Sequence, residues 1–460
     1  MIISEIRYKQ AIERLRFDAE FYLPAYLEAE EVVKRFTTTK TIGELITSIT
    51  NGVDIREFVP TGIPYLRVGD MKEIFIDADN ASKIRSNSTI SKEIKLKKGD
   101  LLFSRKGTIG ITCVATSDLI GSIISTELIR IRLKEVNSYY VAVFFNSKYG
   151  RKQLFRISSG AVNPVITRDL FKSVFIPIPP LSFQQKIESL VKESYNKRKK
   201  ADEKYKEAEE LLNKTLGIEK LELKEEKIFE TRFDEVENSQ RIDADFHKPL
   251  FRASLKILTD GEIKKIFSVK KLGEIAKISK GIEVGSDAYV DDGKLFLRVS
   301  NITEKEITIS DSAEFIREDL FNALKEKYKP IPGEILYTKD ATVGVAFPVR
   351  EDFNDAIISG GIIRIKPHND LDQYYLALVL NSILCRSQAE RHSIGAVIKH
   401  YTYSKIKDLL VPIIPEEKQK QISNLIKQSF TLREEAKELL EKAKKEVEEF
   451  IEKNNNHNRH

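Results

Sequence analysis

Tryptophan is missing from the 460 residues, and cysteine and methionine occur only twice each. Two cysteines, Cys113 and Cys385, are too few for a disulfide framework or a cysteine-built zinc site, and a cytoplasmic chain is the simpler expectation. No run approaches the roughly 18 uninterrupted apolar residues of a membrane span. The opening, MIISEIRYKQAIERLRFDAEF, has no apolar stretch like that of an export signal, so neither export nor membrane spanning is expected. Charge of one sign is not in excess either: 76 basic and 70 acidic residues leave a net +6, which permits a nucleic-acid partner without demanding one. Any basic surface must be local. The six histidines are His247, His368, His392, His400, His457 and His460. None has a second histidine at ligand spacing on a helix, so no metal site is expected. Scarce Trp, Met and Cys beside abundant Lys and Glu resemble the composition of a thermophile's protein.

With 41% hydrophobic and 32% charged side chains, the chain suits a folded protein of at least two domains. Those domains are copies. The chain matches itself at an offset that drifts from roughly 225 near the start to roughly 235 near the end, far longer than a solenoid repeat. Arg16-Phe17-Asp18-Ala19-Glu20-Phe21 returns as Arg241-Ile242-Asp243-Ala244-Asp245-Phe246, and Tyr65-Leu66-Arg67-Val68 as Phe296-Leu297-Arg298-Val299. The twelve residues from Gly99 to Gly110, GDLLFSRKGTIG, return from Gly333 to Gly344 as GEILYTKDATVG. Gly160-Ala161-Val162 returns as Gly395-Ala396-Val397.

Within each copy, residues of about 40–135 and 270–366 form short runs rich in Ile, Val, Leu, Phe and Tyr, broken by Gly, Asn, Asp and Pro. These patterns predict strands and turns. Leu101–Phe103, Ile129–Leu133 and Ile362–Ile365 read as strands, whereas 138–155 and 373–391 carry apolar residues at helical spacing. The fold class is therefore α+β, each unit built on a twisted, mainly antiparallel sheet. Each unit then changes character. After Ile176-Pro177-Ile178-Pro179-Pro180, an apolar stripe runs through Phe183, Ile187, Leu190, Ser194, Ala201, Tyr205, Ala208 and Leu212. Its copy, after Pro412-Ile413-Ile414-Pro415, carries Ile422, Leu425, Ser429, Ala436, Leu440, Ala443, Val447 and Phe450. These are long amphipathic helices entered through prolines. At 1.5 Å per residue, about 30 to 35 residues extend roughly 45 to 50 Å, which suits a spacer.

Two such helices can pair as an antiparallel coiled coil, relating two globular domains by a pseudo-two-fold axis. The seam is expected at Ile187, Leu190, Tyr205 and Leu212 against Ile422, Leu425, Leu440 and Val447. The alternative is that each helix folds back on its own domain. The expected organisation is a first domain over 1–180, a helix over 181–216, a linker over 217–235, a second domain over 236–411, a helix over 412–453 and a polar tail over 454–460.

Catalytic motifs are largely missing: there is no GxxxxGK[ST], no GxGxxG after a strand, no HExxH and no GxSxG. Asn163-Pro164-Val165-Ile166 lacks the second proline and the aromatic of an adenine-methyltransferase loop. Glu93-Ile94-Lys95 matches the tail of a nuclease signature, but such triplets arise freely in a Lys/Glu-rich chain, and a solvated turn is favoured. What recurs is polar and basic residues beside glycines. Ser104, Arg105, Lys106 and Thr108 follow a strand directly, and Thr338, Lys339 and Thr342 repeat them. Glycine lets backbone amides approach a phosphate, Arg and Lys neutralise it, and Arg also reaches guanine. A second set follows a helix: Ser158, Ser159 and Asn163 in one copy, Ser393, Lys399, His400 and Tyr401 in the other. The competing readings are an ordinary hairpin turn for the first set and a helix end with exposed neighbours for the second. Arg67 and Arg298 rank lower, because pairing with a carboxylate would explain them equally.

Taken together, these features resemble the specificity subunit of Type I restriction-modification enzymes. Both β-rich copies carry G-D/E-h-L-aromatic-S/T-R/K-x-x-T-h-G. Ile176 to Gln185, IPIPPLSFQQ, and Val411 to Gln419, VPIIPEEKQ, are similar to that family's PLPPLxEQ signature. The first copy has Ser182-Phe183 where an acidic residue is usual before the glutamine. The resemblance covers nearly the whole chain. It implies two target-recognition domains reading the halves of a split, asymmetric duplex sequence, with the helix length setting their spacing. It also implies no catalytic centre, cofactor or metal in this chain. S-adenosylmethionine would belong to two methyltransferase subunits docked on the helices, and ATP with Mg to restriction subunits that translocate and cleave DNA. A coiled-coil scaffold with twin protein- or carbohydrate-binding domains is the alternative, and a self-contained nuclease or methylase a third reading. The bases read are not legible from one chain.

Overall fold

The computed structural model describes residues 16–78, 81–86, 94–160, 164–219, 228–309, 313–350, 355–368, 371–395 and 398–457. Contacts divide the chain into two compact units, Met1–Arg198 with Arg433–His460, and Lys199–Leu432. The two long helices, α1 (Leu181–Leu216) and α2 (Glu416–His457), therefore each contribute one half to either unit.

In the first unit the main sheet has the order Ile46–Asn51, Leu128–Leu133, Leu101–Ser104, Thr112–Val114, antiparallel throughout. The second unit repeats it with Ala276–Lys280, Ile362–Pro367, Ile335–Thr338 and Ala346–Pro348. A smaller sheet in each unit contains one parallel pair, Ile63–Leu66 with Ile123–Ile124 and Lys294–Leu297 with Ala356–Ile358. The mixed helix and sheet expected from the apolar runs is present, and the three strands predicted by residue lie in place.

Each expected helix after the main sheet is two helices. Ser138–Asn146 and Lys148–Ile157 meet at Ser147, and Gln373–Asn381 and Ile383–His392 meet at Ser382. Each serine Oγ donates to the carbonyl three residues back at 2.6 Å, closing one helix as the chain turns into the next. The space at that corner is tight. A Cβ on Gly150 would lie 2.1 Å from the Phe144 carbonyl oxygen.

Buried residues of α1 in the first unit are Gln184, Ile187, Val191 and Ser194, and of α2 Ala436, Leu440, Ala443, Val447 and Ile451. Spacings of three and four bury one seam. In the second unit the seam is Ala201, Tyr205, Ala208, Leu212 and Leu216 with Ile422, Ile426, Ser429 and Phe430. Of the eight expected seam residues, Leu190 and Leu425 are only half-buried, and Val191 and Ile426 take their places. A one-residue step from a leucine to the β-branched residue beside it rotates the seam by about 100°.

Pairing and folding back turn out not to be alternatives. Within the first unit, Phe183 stacks on Phe450 with ring centroids 4.2 Å apart and Ser194 Oγ donates to the Ala436 carbonyl at 2.6 Å, while Ile187, Val191, Leu440 and Val447 also join the core beneath the sheet. Within the second, Ser429 Oγ donates to the Ala201 carbonyl at 2.7 Å, and Tyr205, Leu212 and Ile422 join that unit's core.

The glutamine of each helix entrance explains the recurring signature. Gln184 and Gln419 are buried and donate at 2.8 Å to the carbonyls of Pro179 and Ile414. Those carbonyls lie just ahead of the helix, where the chain has no helical donor for them.

Candidate nucleic-acid interface

The turn after each central strand is built by backbone conformation first. Gly107 and Gly110 have φ of 73° and 84°, and the second copy places Ala341 and Gly344 at 56° and 87°. Ala341 thus occupies a left-handed position where the other copy has glycine, at a cost of roughly 1 kcal/mol. It is held there because its N–H donates to the Lys399 carbonyl at 2.8 Å.

That bond is part of a pairing that brings together the two loops singled out in each copy. In the first unit, Ile166 N donates to Arg105 O, and Ser159 and Val165 exchange both backbone bonds, joining Lys106 to Val165 and Val165 to Ser159. In the second, Tyr401 N donates to Lys339 O, and Ile394 and His400 exchange both bonds, joining Asp340 to His400. The same small ladder carries different side chains.

On the first ladder Lys106, Thr108 and Ser159 are exposed and Arg105 is half-buried. Lys106 has no ion pair among the described residues, which leaves its charge facing water. On the second, Thr342, Ile394 and His400 are exposed, and Lys339 donates to Asp340 Oδ2 at 2.6 Å. Lys399 is half-buried and supports Ala341 through its carbonyl. Asn163 lies outside the described residues.

Several predicted contacts have to be reassigned. Ser104 and Thr338 are wholly buried, accepting from Ile111 N and Val345 N at 2.9 Å, so they shape the turn rather than face a ligand. Tyr401 is also buried, its hydroxyl spent on the Lys405 carbonyl. Ser158 and Ser393 close their helices by donating to the carbonyls of Phe155 and Glu390. All five are polar residues at the end of an element, where sequence cannot separate a hydroxyl that finishes a turn from one that faces solvent.

Arg298 pairs with Glu314 at 2.9 Å. Arg67 instead lies 4.7 Å over the ring of Phe58, itself 44% exposed, and donates to Ser82. Asp340 was not among the predicted site residues, because an acid inside a basic motif reads as a departure from it.

Behind each ladder stands a stacked support. Arg16 and Arg156 lie 4.8 and 4.3 Å from the Phe21 ring, and Arg241 and Arg391 lie at the same distances from Phe246. Arg16 also donates to the Ser158 carbonyl at 3.0 Å, tying the segment to the hairpin. Hydrogen bonding by Arg16 and Arg241 draws the carboxyls of Asp18 and Asp243 below their usual range. His392, beside Arg391, is pushed down to about 4 by burial and then by that neighbouring charge.

The model of the Type I restriction modification DNA specificity domain matches residues 37–210 and again 264–449. The chain belongs to that family. The two matches fall on the two copies. A specificity-family relative, the Type I restriction enzyme MjaIX specificity subunit of Methanocaldococcus jannaschii, is 26% identical over 61% of this chain and 60% of its own length. The MjaVIII specificity subunit of the same organism is 21% identical over 71% of this chain and 72% of its own. The chain thus spans less than two thirds of the first relative and somewhat more of the second. A solved structure of a Type I restriction-modification S subunit from M. genitalium is 12% identical and overlaps 91% of this chain and 95% of its own, with a TM-score of 0.41. The HsdS subunit from Thermoanaerobacter tengcongensis overlaps 91% and 96% at 17% identity, with a TM-score of 0.28. Among the described residues of this specificity-family chain, no helix is long and apolar enough to cross a membrane, and no three His, Cys, Asp or Glu side chains gather as metal ligands.

Proposed function

We propose that this chain is the DNA-reading subunit of a Type I restriction-modification complex, each unit presenting its ladder of paired loops to one half of a split, asymmetric duplex target. The observation that carries this reading is the ladder itself. In both units the same backbone bonds hold a strand-end turn with an exposed threonine, Thr108 or Thr342, against a hairpin, while the other exposed side chains differ, with Lys106 and Ser159 on one and Ile394 and His400 on the other. A shared frame with unlike side chains is what two unlike half-sites require. Lys106 and Arg105 supply charge for phosphates or guanine, and the hydroxyls of Thr108, Ser159 and Thr342 are compatible with either phosphate or base contacts.

The chemistry is assigned to partners. Two methyltransferase subunits would carry S-adenosylmethionine and draw the target adenine out of the helix, and restriction subunits would use ATP and Mg to translocate and cleave. The Lys- and Glu-rich faces of α1 and α2 that point away from the seam are the proposed docking surface for the methyltransferase subunits.

The test is binding of duplex DNA by this chain assembled with its methyltransferase subunits. Affinity should fall linearly with the logarithm of salt, the chain alone should turn nothing over, and methylation sequencing of the source genome should return one bipartite asymmetric motif. Absence of duplex binding in the assembled complex would favour a scaffold for protein or carbohydrate.

A further inference from the structure

Resting on the DNA-reading proposal, we infer that the Nε2 edge of His400 is a specificity determinant of the second unit's half-site, and that Asp340 is the positioning residue that sets what this edge offers. His400 Nδ1 lies 2.8 Å from Asp340 Oδ1, and the other carboxylate oxygen accepts from Lys339 Nζ at 2.6 Å. A carboxylate can only accept from both, so the ring proton sits on Nδ1. The ring is 57% exposed while the carboxylate beneath it is 18% exposed. The backbone is fixed on both sides, His400 exchanging two bonds with Ile394 and Tyr401 donating to Lys339. Nε2 is therefore the polar atom that an incoming base meets.

What it offers depends on protonation. In the neutral ring with hydrogen on Nδ1, Nε2 is an acceptor, suited to the N4 amino group of cytosine or the N6 amino group of adenine in the major groove. In the imidazolium it is a donor, suited to N7 or O6 of guanine. Which ring nitrogen carries the proton follows from the bond the other makes, so Asp340 decides the first case and accepts from Nδ1–H in both. The charged groups beside the ring are Asp340, which attracts the imidazolium, and Lys339, which pairs with the same carboxylate, while Lys399, the neighbour in the chain, acts on Asp245 in the segment behind. In the first unit the matching positions are Lys106 and Val165, and neither can change from acceptor to donor. The base preference of one half-site should thus change when this ring gains a proton, while that of the other stays constant.

The experiment selects duplexes from a random-sequence pool with the full chain assembled with its methyltransferase subunits, at about pH 6 and about pH 8. At one half-site, preference should move about tenfold from cytosine or adenine toward guanine on acidification, with the other half-site unchanged and serving as the folding control. His400→Gln should make the preference the same at both pH values. Asp340→Asn, whose amide can donate to Nδ1, should blunt the preference near pH 8 at that half-site alone. With 15N-histidine labelling, the signal lost in His400→Gln should report hydrogen on Nδ1 and a bare Nε2 near pH 8. A ring with hydrogen on Nε2, or half-sites that both shift or both stay constant, overturns the inference. Selection of no duplex at either pH would instead overturn the DNA-reading proposal on which it rests.

Discussion

The two ladders differ most in what their charges are doing. In the first unit the turn carries Arg105 and Lys106, and the Lys106 ammonium faces solvent without an ion pair among the described residues. In the second, Lys339 is held by Asp340, which also holds His400. One frame therefore presents an unpaired charge to solvent and the other a charge already used inside the protein. Duplication preserved the backbone bonds, and divergence acted on whether the side chains are spent or available.

The cores beneath the ladders differ in the same way. Asp100 is buried against Arg132 at 2.7 Å and Arg130 at 3.8 Å. In the second unit Glu334 lies 3.6 Å from Arg364, whose guanidinium also donates to the carbonyls of Lys327 and Lys329. Asp100→Ala should therefore cost the first unit about 3 to 5 kcal/mol, the range for breaking a buried pair. Glu334→Ala should cost the second unit less, because two carbonyls still serve Arg364. Hydrogen exchange followed separately in the two units checks this, and equal losses would show that the carbonyls contribute nothing.

A smaller effect is expected on DNA. Lys106→Ala should reduce the slope of log affinity against log salt by about 1, whereas Lys339→Ala should leave it nearly unchanged because that ammonium is already paired. Binding titrations over a salt series would separate the two.

The units should also part company in acid. His392 is depressed to about 4 from an ordinary 6.5, by burial and then by Arg391, and the first copy has Ile157 in its place. A depressed group adds stability above its unfolded value and loses it as protons bind the unfolded chain. The second unit should therefore weaken as pH falls from about 6.5 to about 4, an effect moderated because the ring is only half-buried. His392→Ile should remove that weakening, as read by exchange or denaturant unfolding over this range.

Smallest of all is the turn. Gly107→Ala meets no atom within 4 Å but places a side chain at positive φ, so it should cost the first unit about 1 kcal/mol. Ala341→Gly should recover roughly 0.5 kcal/mol in the second, part of the relief being offset by the freer unfolded chain. Thermal unfolding of the matched pair reads the two signs.

Much of the architecture was legible because its signals are long or doubled. The α1 and α2 stripes extend over many turns, and a strand followed by a glycine-rich turn is convincing when it appears twice. The breaks at Ser147 and Ser382 were not legible, since apolar spacing continues through them and only a serine hydroxyl marks the corner. Seam register failed by one residue at Leu190 and Leu425, where the neighbouring Val191 and Ile426 are equally apolar. At the candidate site, the loops were found but their hydroxyls could not be sorted. Ser104 and Thr338 have the same chemistry as Thr108 and Thr342, and only burial distinguishes them. Asp340 became meaningful once His400, sixty residues away, was seen beside it.

The glutamine at the mouth of α1 has a mechanical consequence. Its amide is engaged at both ends, the nitrogen on Pro179 and the oxygen on the backbone of Asn137 at 2.9 Å, so it behaves as a bolt and not as a swivel. The rod cannot change its bearing on the first globular part without shearing two hydrogen bonds, one buried and one half-buried. A glutamate in its place would be able to grip only one of the two.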